Sequence, residues 1–193
     1  MSVVSIADAW PAAGQPFTVT ELDRIPDDGR RYELLDGVLV VSPRPTTIHQ
    51  VAAYRLATAL GVACPAGWQV VPEPALLISE RTEFDPDVVI ARLADLGGPK
   101  ITRPPLLVAE IRSPSTALLD LNAKKTAYQQ FGVGSYWVVV PDLVKPELLA
   151  FELSGDGRYQ EVAHVTGNGA FAAVRPFPVQ IVPSRLAAGV PRD

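Results

Sequence analysis

Apolar and polar positions along the chain alternate between two periods, and the first clear signal is a capping pattern. Thr18-Val19-Thr20-Glu21 sets a hydroxyl three residues before a carboxylate, which predicts a short helix from about Val19 to Ile25. Arg31–Leu35 and Val38–Val41 are β-favouring runs separated by Asp36-Gly37, the pattern of a hairpin closed by a tight turn. Thr46 or Thr47 then opens a helix in which Ala52, Leu56, Ala59, Leu60 and Ala63 recur at helical spacing and face a core, with Gly67 ending it. Four strands are predicted next, at Trp68–Val71, Ala75–Ile78, Asp87–Ala91 and Leu106–Ile111. Ser115 caps a predicted helix from about Thr116 to Phe131, closed by Gly132. Ser135–Val140 is apolar throughout, as in a strand covered on both faces. Glu147–Leu153 and Arg158–His164 form an antiparallel pair around Ser154-Gly155-Asp156-Gly157, followed by one or two weak strands and a proline-rich tail. The fold class is α/β or α+β, a mixed central sheet flanked by helices. The expected organisation is an N-terminal extension over 1–16, a single domain over 17–185 and a tail over 186–193.

Composition narrows the class. With 193 residues, 48% of them hydrophobic and 20% charged, the chain suits one globular domain. The single cysteine, Cys64, cannot form an internal disulfide and suits a reducing compartment. The first residues lack the basic segment of a secretory signal. Val51–Trp68 is interrupted by Arg55, Gly61 and Pro65, which favours a buried helix and loop over a membrane span. The expectation is a cytoplasmic protein with no membrane partner. Seventeen basic against 21 acidic residues give a net charge of −4, which disfavours broad electrostatic binding of nucleic acid. Any such binding needs a local basic face, for which Arg30, Arg31, Arg44, Arg55, Lys100, Arg103, Arg112, Lys124 and Lys125 are candidates.

Candidate chemistry lies in charges set among apolar residues. Asp87 stands in Pro86-Asp87-Val88-Val89-Ile90 and Glu110 in Leu106-Leu107-Val108-Ala109-Glu110-Ile111, where an unpaired charge is costly to bury. Two converging carboxylates would make a hard oxygen site suited to Mg²⁺, with Mn²⁺ as a substitute. The alternative is that Asp87 caps a turn and Glu110 pairs with Arg112 or another cation. Asp120, Lys124 and Tyr128 lie four apart on one helical face, either a solvated stripe or a lysine that orients or helps deprotonate an attacking water or neutralises charge on a phosphorane. Lys125 points elsewhere, toward solvent. Glu33 is a third carboxylate, a metal or water ligand unless it pairs with Arg30 or Arg31 on the hairpin surface. His49, near a helix start, serves either a structural hydrogen bond or the site. One cysteine and two histidines make no zinc constellation. There is no phosphate-cradling glycine loop. Ser113 lacks the setting of a hydrolase nucleophile.

Tyr32-Glu33-Leu34-Leu35-Asp36-Gly37, His49, Pro86-Asp87, Glu110-Ile111-Arg112-Ser113-Pro114-Ser115-Thr116, Asp120, Lys124, Tyr128 and Gly132-Val133-Gly134-Ser135-Tyr136-Trp137 occur in that order. Together, over roughly residues 16–160, they resemble the Uma family of putative restriction endonucleases within the PD-(D/E)XK nuclease superfamily. The resemblance implies a restriction-endonuclease-like core and Mg²⁺-dependent hydrolysis of DNA phosphodiesters. Asp87 and Glu110 would be the metal pair and Glu33 an accessory carboxylate. Two residues beyond Glu110 stands Arg112 in place of the superfamily's usual lysine, and arginine stays protonated. By the same resemblance, Lys124 on the following helix supplies the lysine, while Arg112 remains available to a phosphate oxygen. A non-catalytic interaction module on the same scaffold, and a nuclease acting on RNA or branched DNA, are the competing readings. Apolar strands at Ser135–Val140 and Glu147–Leu153, with Tyr136 and Trp137, suggest an edge or face for a homodimer or higher oligomer.

Overall fold

The computed structural model describes residue 11 and residues 14–112 and 119–190, with side chains in the last stretch from residue 122 onward. The predicted Ser115 cap, the helix start at Thr116 and the Asp120 side chain lie outside the described residues.

Local chemistry sets the first elements. Thr18 caps α1 (Val19–Leu22) reciprocally: its side chain accepts from the first turn, while Glu21 takes the Thr18 N–H at 2.9 Å. The helix is one turn, shorter than the expected reach to Ile25. Strands β1 (Arg31–Leu35) and β2 (Val38–Ser42) pair from Arg31↔Ser42 to Leu35↔Val38. Their two-residue turn puts Asp36 at φ 49° and Gly37 at φ 81°, the mirror-image geometry that matches strand twist. A Cβ on Gly37 would lie 2.6 Å from Pro16 Cβ, so both backbone angle and space require glycine. Thr46 caps α2 (Thr47–Ala63), and Ala52, Leu56 and Leu60 are fully buried. The helix stops at Ala63 rather than Gly67. Cys64 precedes Pro65 and takes an extended conformation, as a residue before proline does, and Gly67 (φ 85°) then turns the chain into β3 (Trp68–Pro72).

Three sheets result. The largest has the order β10-β9-β8-β7-β6-β3, where β6 is Val88–Arg92, β7 Leu107–Ile111, β8 Ser135–Val140, β9 Glu147–Leu153 and β10 Tyr159–Thr166. All neighbours are antiparallel except β7 and β8, which run parallel in register from Leu107↔Ser135 to Ile111↔Val139. Such a parallel pair needs a crossover. Here it includes a π-helical stretch, Leu119–Lys124, running into α3 (Lys125–Phe131), which Gly132 ends in the left-handed conformation. A second, four-stranded sheet has the order β2-β1-β5-β4, with β4 Leu76–Ser79 and β5 Thr82–Phe84. A small pair, β11 (Phe171–Ala173) and β12 (Val179–Ile181), precedes the one-turn α4 (Pro183–Leu186).

Period-two alternation divides the large sheet into two covered faces. Val88, Ile90, Leu107, Ala109, Trp137 and Val139 meet α2, β11 and β12 on one side. Val89, Val108, Tyr136 and Val138 meet Tyr128 of α3 and Leu76 and Phe84 of the smaller sheet on the other.

Two expectations are corrected here. Strands β8 and β9 are interior, each paired on both edges, and Tyr136 and Trp137 are fully buried, so neither strand has a free edge and β8 has no free face for a second copy. Lys125 is not simply solvated. Its ammonium sits 3.5 Å from the centroid of the Phe151 ring, and partial burial lowers its pKa from the ordinary lysine value.

Candidate functional site

The site begins with strand register. Val88 pairs with Ala109 across β6 and β7, so one step beyond the ladder Asp87 falls opposite Glu110. Opposed residues carry Cβ atoms about 4.5–5.5 Å apart on the same face. Both side chains therefore turn toward the side occupied by α3 and the smaller sheet. Asp87 and Glu110 are almost wholly buried, as are Glu33 and Lys124. Burial of so many charges demands partners, and the structure supplies each one.

Lys124 stands at the centre. Its ammonium donates to Glu33 Oε1 at 2.7 Å and to Glu110 Oε1 at 3.2 Å, and lies 5.3 Å from the centroid of the Phe84 ring. One helical turn on, the Tyr128 hydroxyl donates to the same Glu110 oxygen at 2.6 Å. The i, i+4 spacing thus aims two donors at one acceptor. Burial, together with Glu110 and Glu33, raises the Tyr128 pKa well above its ordinary value and keeps the hydroxyl a donor. Glu33 comes from β1 of the hairpin, and its Oε1 also accepts the Asp85 N–H at 3.0 Å. The hairpin-surface alternative, Glu33 paired with Arg30 or Arg31, is not what forms. Glu110 pairs with Lys124 and not with Arg112, whose backbone N–H instead extends the parallel ladder to Val139 O at 2.7 Å.

Asp87 is held from three sides. Its Oδ2 accepts the Ile111 N–H at 2.6 Å and meets His49 Nε2 at 3.3 Å, and its Oδ1 accepts from Arg31 at 3.2 Å. Burial pushes its pKa up, but His49, Arg31 and the Ile111 N–H outweigh burial and hold it below the ordinary aspartate value. Burial likewise opposes the charge on Arg31, but Asp87, Glu33 and Glu110 overcome it and raise that pKa. His49 reaches this point from the first turn of α2, on the opposite face of the sheet. Its Nδ1 is buried with no hydrogen-bond partner among the described residues. A groove of about 720 Å³ opens beside His49 and Arg112 and is walled by Pro141–Lys145.

Three contributors had no clear sequence signal as site residues. Asp85 lies two positions before Asp87; burial first, then the Glu33 charge, raises its pKa to about 6. Glu73 shares the Arg31 guanidinium with Asp87, at 3.2 Å. Arg31 itself was legible as one candidate for a basic face and as a possible partner of Glu33, not as a partner of Asp87. That face dissolves into local pairs: Arg30 with Asp28, Arg31 with Asp87 and Glu73, Lys100 with Asp23 and Glu83, Arg103 with Asp95, while Arg55 donates to the carbonyls of Arg185, Leu186 and Ala188.

Among the described residues, no three His, Cys, Asp or Glu side chains are gathered as a ready metal cage. The donor chemistry nonetheless fits Mg²⁺. That ion is commonly bound through one or two carboxylates and keeps several waters, and two opposed carboxylates are present.

The mixed sheet with a parallel β7–β8 step, flanked by helices, is a restriction-endonuclease-like fold. The same fold is seen in the crystal structure of a putative nuclease belonging to DUF820 from Anabaena variabilis. That structure is 14% identical, with a TM-score of 0.69 over 89% of this chain and 97% of that one. The chain belongs to the Uma2 family, described as "Putative restriction endonuclease", whose model matches residues 19–187. No curated protein matches it. Among the described residues, no helix is long and apolar enough to cross a membrane.

Proposed function

We propose that the protein is a Mg²⁺-dependent endonuclease that hydrolyses DNA phosphodiester bonds at Asp87, Glu110 and Lys124, with Mn²⁺ as a substitute metal. The observation that carries this reading is the Lys124 ammonium lying 3.2 Å from Glu110 Oε1, where Glu110 is the residue opposite Asp87. Asp87 and Glu110 would hold the metal, with Glu33 as the accessory carboxylate. When bound, Mg²⁺ supplies a Lewis acid that polarises the phosphate and acidifies a water.

The chain's own groups do the rest. Lys124, fixed between Glu33 and Glu110, presents a positive charge where a phosphate oxygen gains negative charge on the way to the pentacovalent phosphorane. Tyr128 and Glu33 keep that ammonium and Glu110 in place. Arg112 flanks the groove beside His49, and its five fixed donors suit a backbone phosphate next to the one being cut. His49 positions Asp87 through Oδ2.

The experiment is cleavage of supercoiled plasmid, linear duplex, branched DNA and RNA with Mg²⁺, Mn²⁺ or EDTA, by wild type and Asp87→Asn. Metal-dependent cutting of DNA by wild type alone is expected. Equal cutting by Asp87→Asn overturns the site assignment. Selective cutting of RNA or branched DNA changes the substrate. No cutting of any substrate overturns the catalytic reading in favour of an interaction module.

A further inference from the structure

Arg31 has two carboxylate partners of opposite character, and its position rests on more than charge balance. One of its terminal nitrogens lies 3.2 Å from Asp87 Oδ1 and 3.2 Å from Glu73 Oε1. The Asp87 side chain is 2% exposed and that of Glu73 46%. A single guanidinium therefore spans from the buried carboxylate assigned to the metal to one that faces solvent.

The outer partner is held in place independently. Glu73 adopts φ 47°, a left-handed conformation uncommon for a residue other than glycine, asparagine or aspartate. Its N–H donates to the backbone oxygen of Asp87 at 3.2 Å, so the two acids are tied through the main chain. From α2, Gln50 Nε2 reaches the same Glu73 oxygen at 3.4 Å. The arginine thus already holds its second partner and can release Asp87 without leaving Glu73.

Such an arrangement answers a physical problem. A buried carboxylate left without a counter-charge is strongly destabilising, yet a carboxylate permanently committed to an arginine is a poor ligand for a divalent cation. We propose that Arg31 is a placeholder for the divalent cation: it neutralises Asp87 in the metal-free protein and withdraws onto Glu73 when the metal arrives. The inference rests on the metal-binding reading of Asp87 given above. Arg31 is then a positioning residue, acting on metal entry through Asp87, and Glu73 sets how readily it leaves.

The test is calorimetric titration with Mn²⁺, without DNA, of wild type, Arg31→Met, Glu73→Gln and Asp87→Asn, with folding checked by circular dichroism. Wild type gives a saturable heat that Asp87→Asn lacks. Arg31→Met keeps the side-chain stem, removes the competing charge and binds Mn²⁺ roughly tenfold more tightly. Glu73→Gln leaves Arg31 with Asp87 alone and binds several-fold more weakly. A purely structural ion pair would not give opposite signs at these two positions. Equal or weaker binding by folded Arg31→Met overturns the placeholder role. If that variant fails to fold, Glu73→Gln decides, and unchanged or tighter binding overturns it. Wild-type heat that vanishes in Asp87→Asn but ignores both other changes rejects the placeholder alone. No heat from any sample rejects the metal reading and the placeholder with it.

Discussion

Asp85 and Tyr128 show how single groups shape this site. The folded-state pKa of Asp85, about 6, lies above its ordinary value of 3.8. Well below pH 3.8 folded and unfolded chains both carry the proton. As pH rises from there to about 6, the unfolded chain ionises first, so the folded state loses stability relative to it. Asp85→Asn removes that loss. The variant should match wild type well below pH 3.8 and exceed it by about 1–2 kcal/mol at pH 7, after discounting for partial exposure. Urea titrations across pH in EDTA check this, and an equal or less stable variant at pH 7 would contradict it. Tyr128→Phe removes a buried donor from Glu110 Oε1, which keeps Lys124, and should cost about 1–3 kcal/mol. Thermal and urea unfolding measure it; no change would mean the hydroxyl contributes nothing. At this scale the sequence was informative where a charge interrupts an apolar run. Asp87, Glu110 and Glu33 stood out that way, while Lys124 stood out by its four-residue spacing with Asp120 and Tyr128. Glu73 did not, because its role depends on a left-handed backbone in a loop, which no spacing announces.

The elements deliver these groups, and turn chemistry does much of the placing. Glu33 reaches Lys124 only if β1 and β2 hold their register, and the Asp36-Gly37 turn sets that register. Gly37→Ala combines a positive φ with a contact at 2.6 Å to Pro16 Cβ. It should destabilise the fold by about 1–3 kcal/mol, read as a lower urea midpoint at unchanged slope. Wild-type stability would show that the turn is not the constraint described. The hairpin, α2 and most strands were legible because their periods are long enough to repeat. Strand β5 was missed: three residues, Thr82–Phe84, carry no alternation. The π-helical turn ending at Lys124 was also invisible, since Lys124 and Tyr128 keep their four-residue spacing through the α-helix that follows it. The spacing implied a shared face, and the structure turns both side chains of that face onto Glu110.

At the scale of the molecule, the large sheet separates two cores, and the site lies where strand ends, α2 and the smaller sheet meet. The apolar run Ser135–Val140 identified a covered strand, but it also suggested a dimer surface. Periodicity shows that a strand is buried without showing what buries it. Here β7 and β9 cover its edges, and Trp137 packs edge-on against Phe171 at 5.3 Å between ring centroids. Trp137→Ala should accordingly cost about 3–5 kcal/mol in urea unfolding, the loss typical of a large core aromatic. A cost below 1 kcal/mol would contradict an interior β8. Several of the basic residues, Arg30, Arg31, Lys100 and Arg103 among them, pair with neighbouring acids, in keeping with a chain of net charge −4. Substrate contact is therefore assigned to the site and its groove rather than to a broad basic face.

The account turns on the pairing of Glu110 with Lys124 opposite Asp87. The direct measurement is the single-turnover rate of duplex DNA cleavage at saturating Mn²⁺ by wild type, Glu110→Gln, Lys124→Met and Arg112→Met, each verified as folded. The account predicts that the first two variants lose roughly a hundredfold or more, as when a group aimed at transition-state charge is removed, while Arg112→Met keeps most of its rate at saturating DNA. Wild-type cutting by folded Glu110→Gln and Lys124→Met would contradict it.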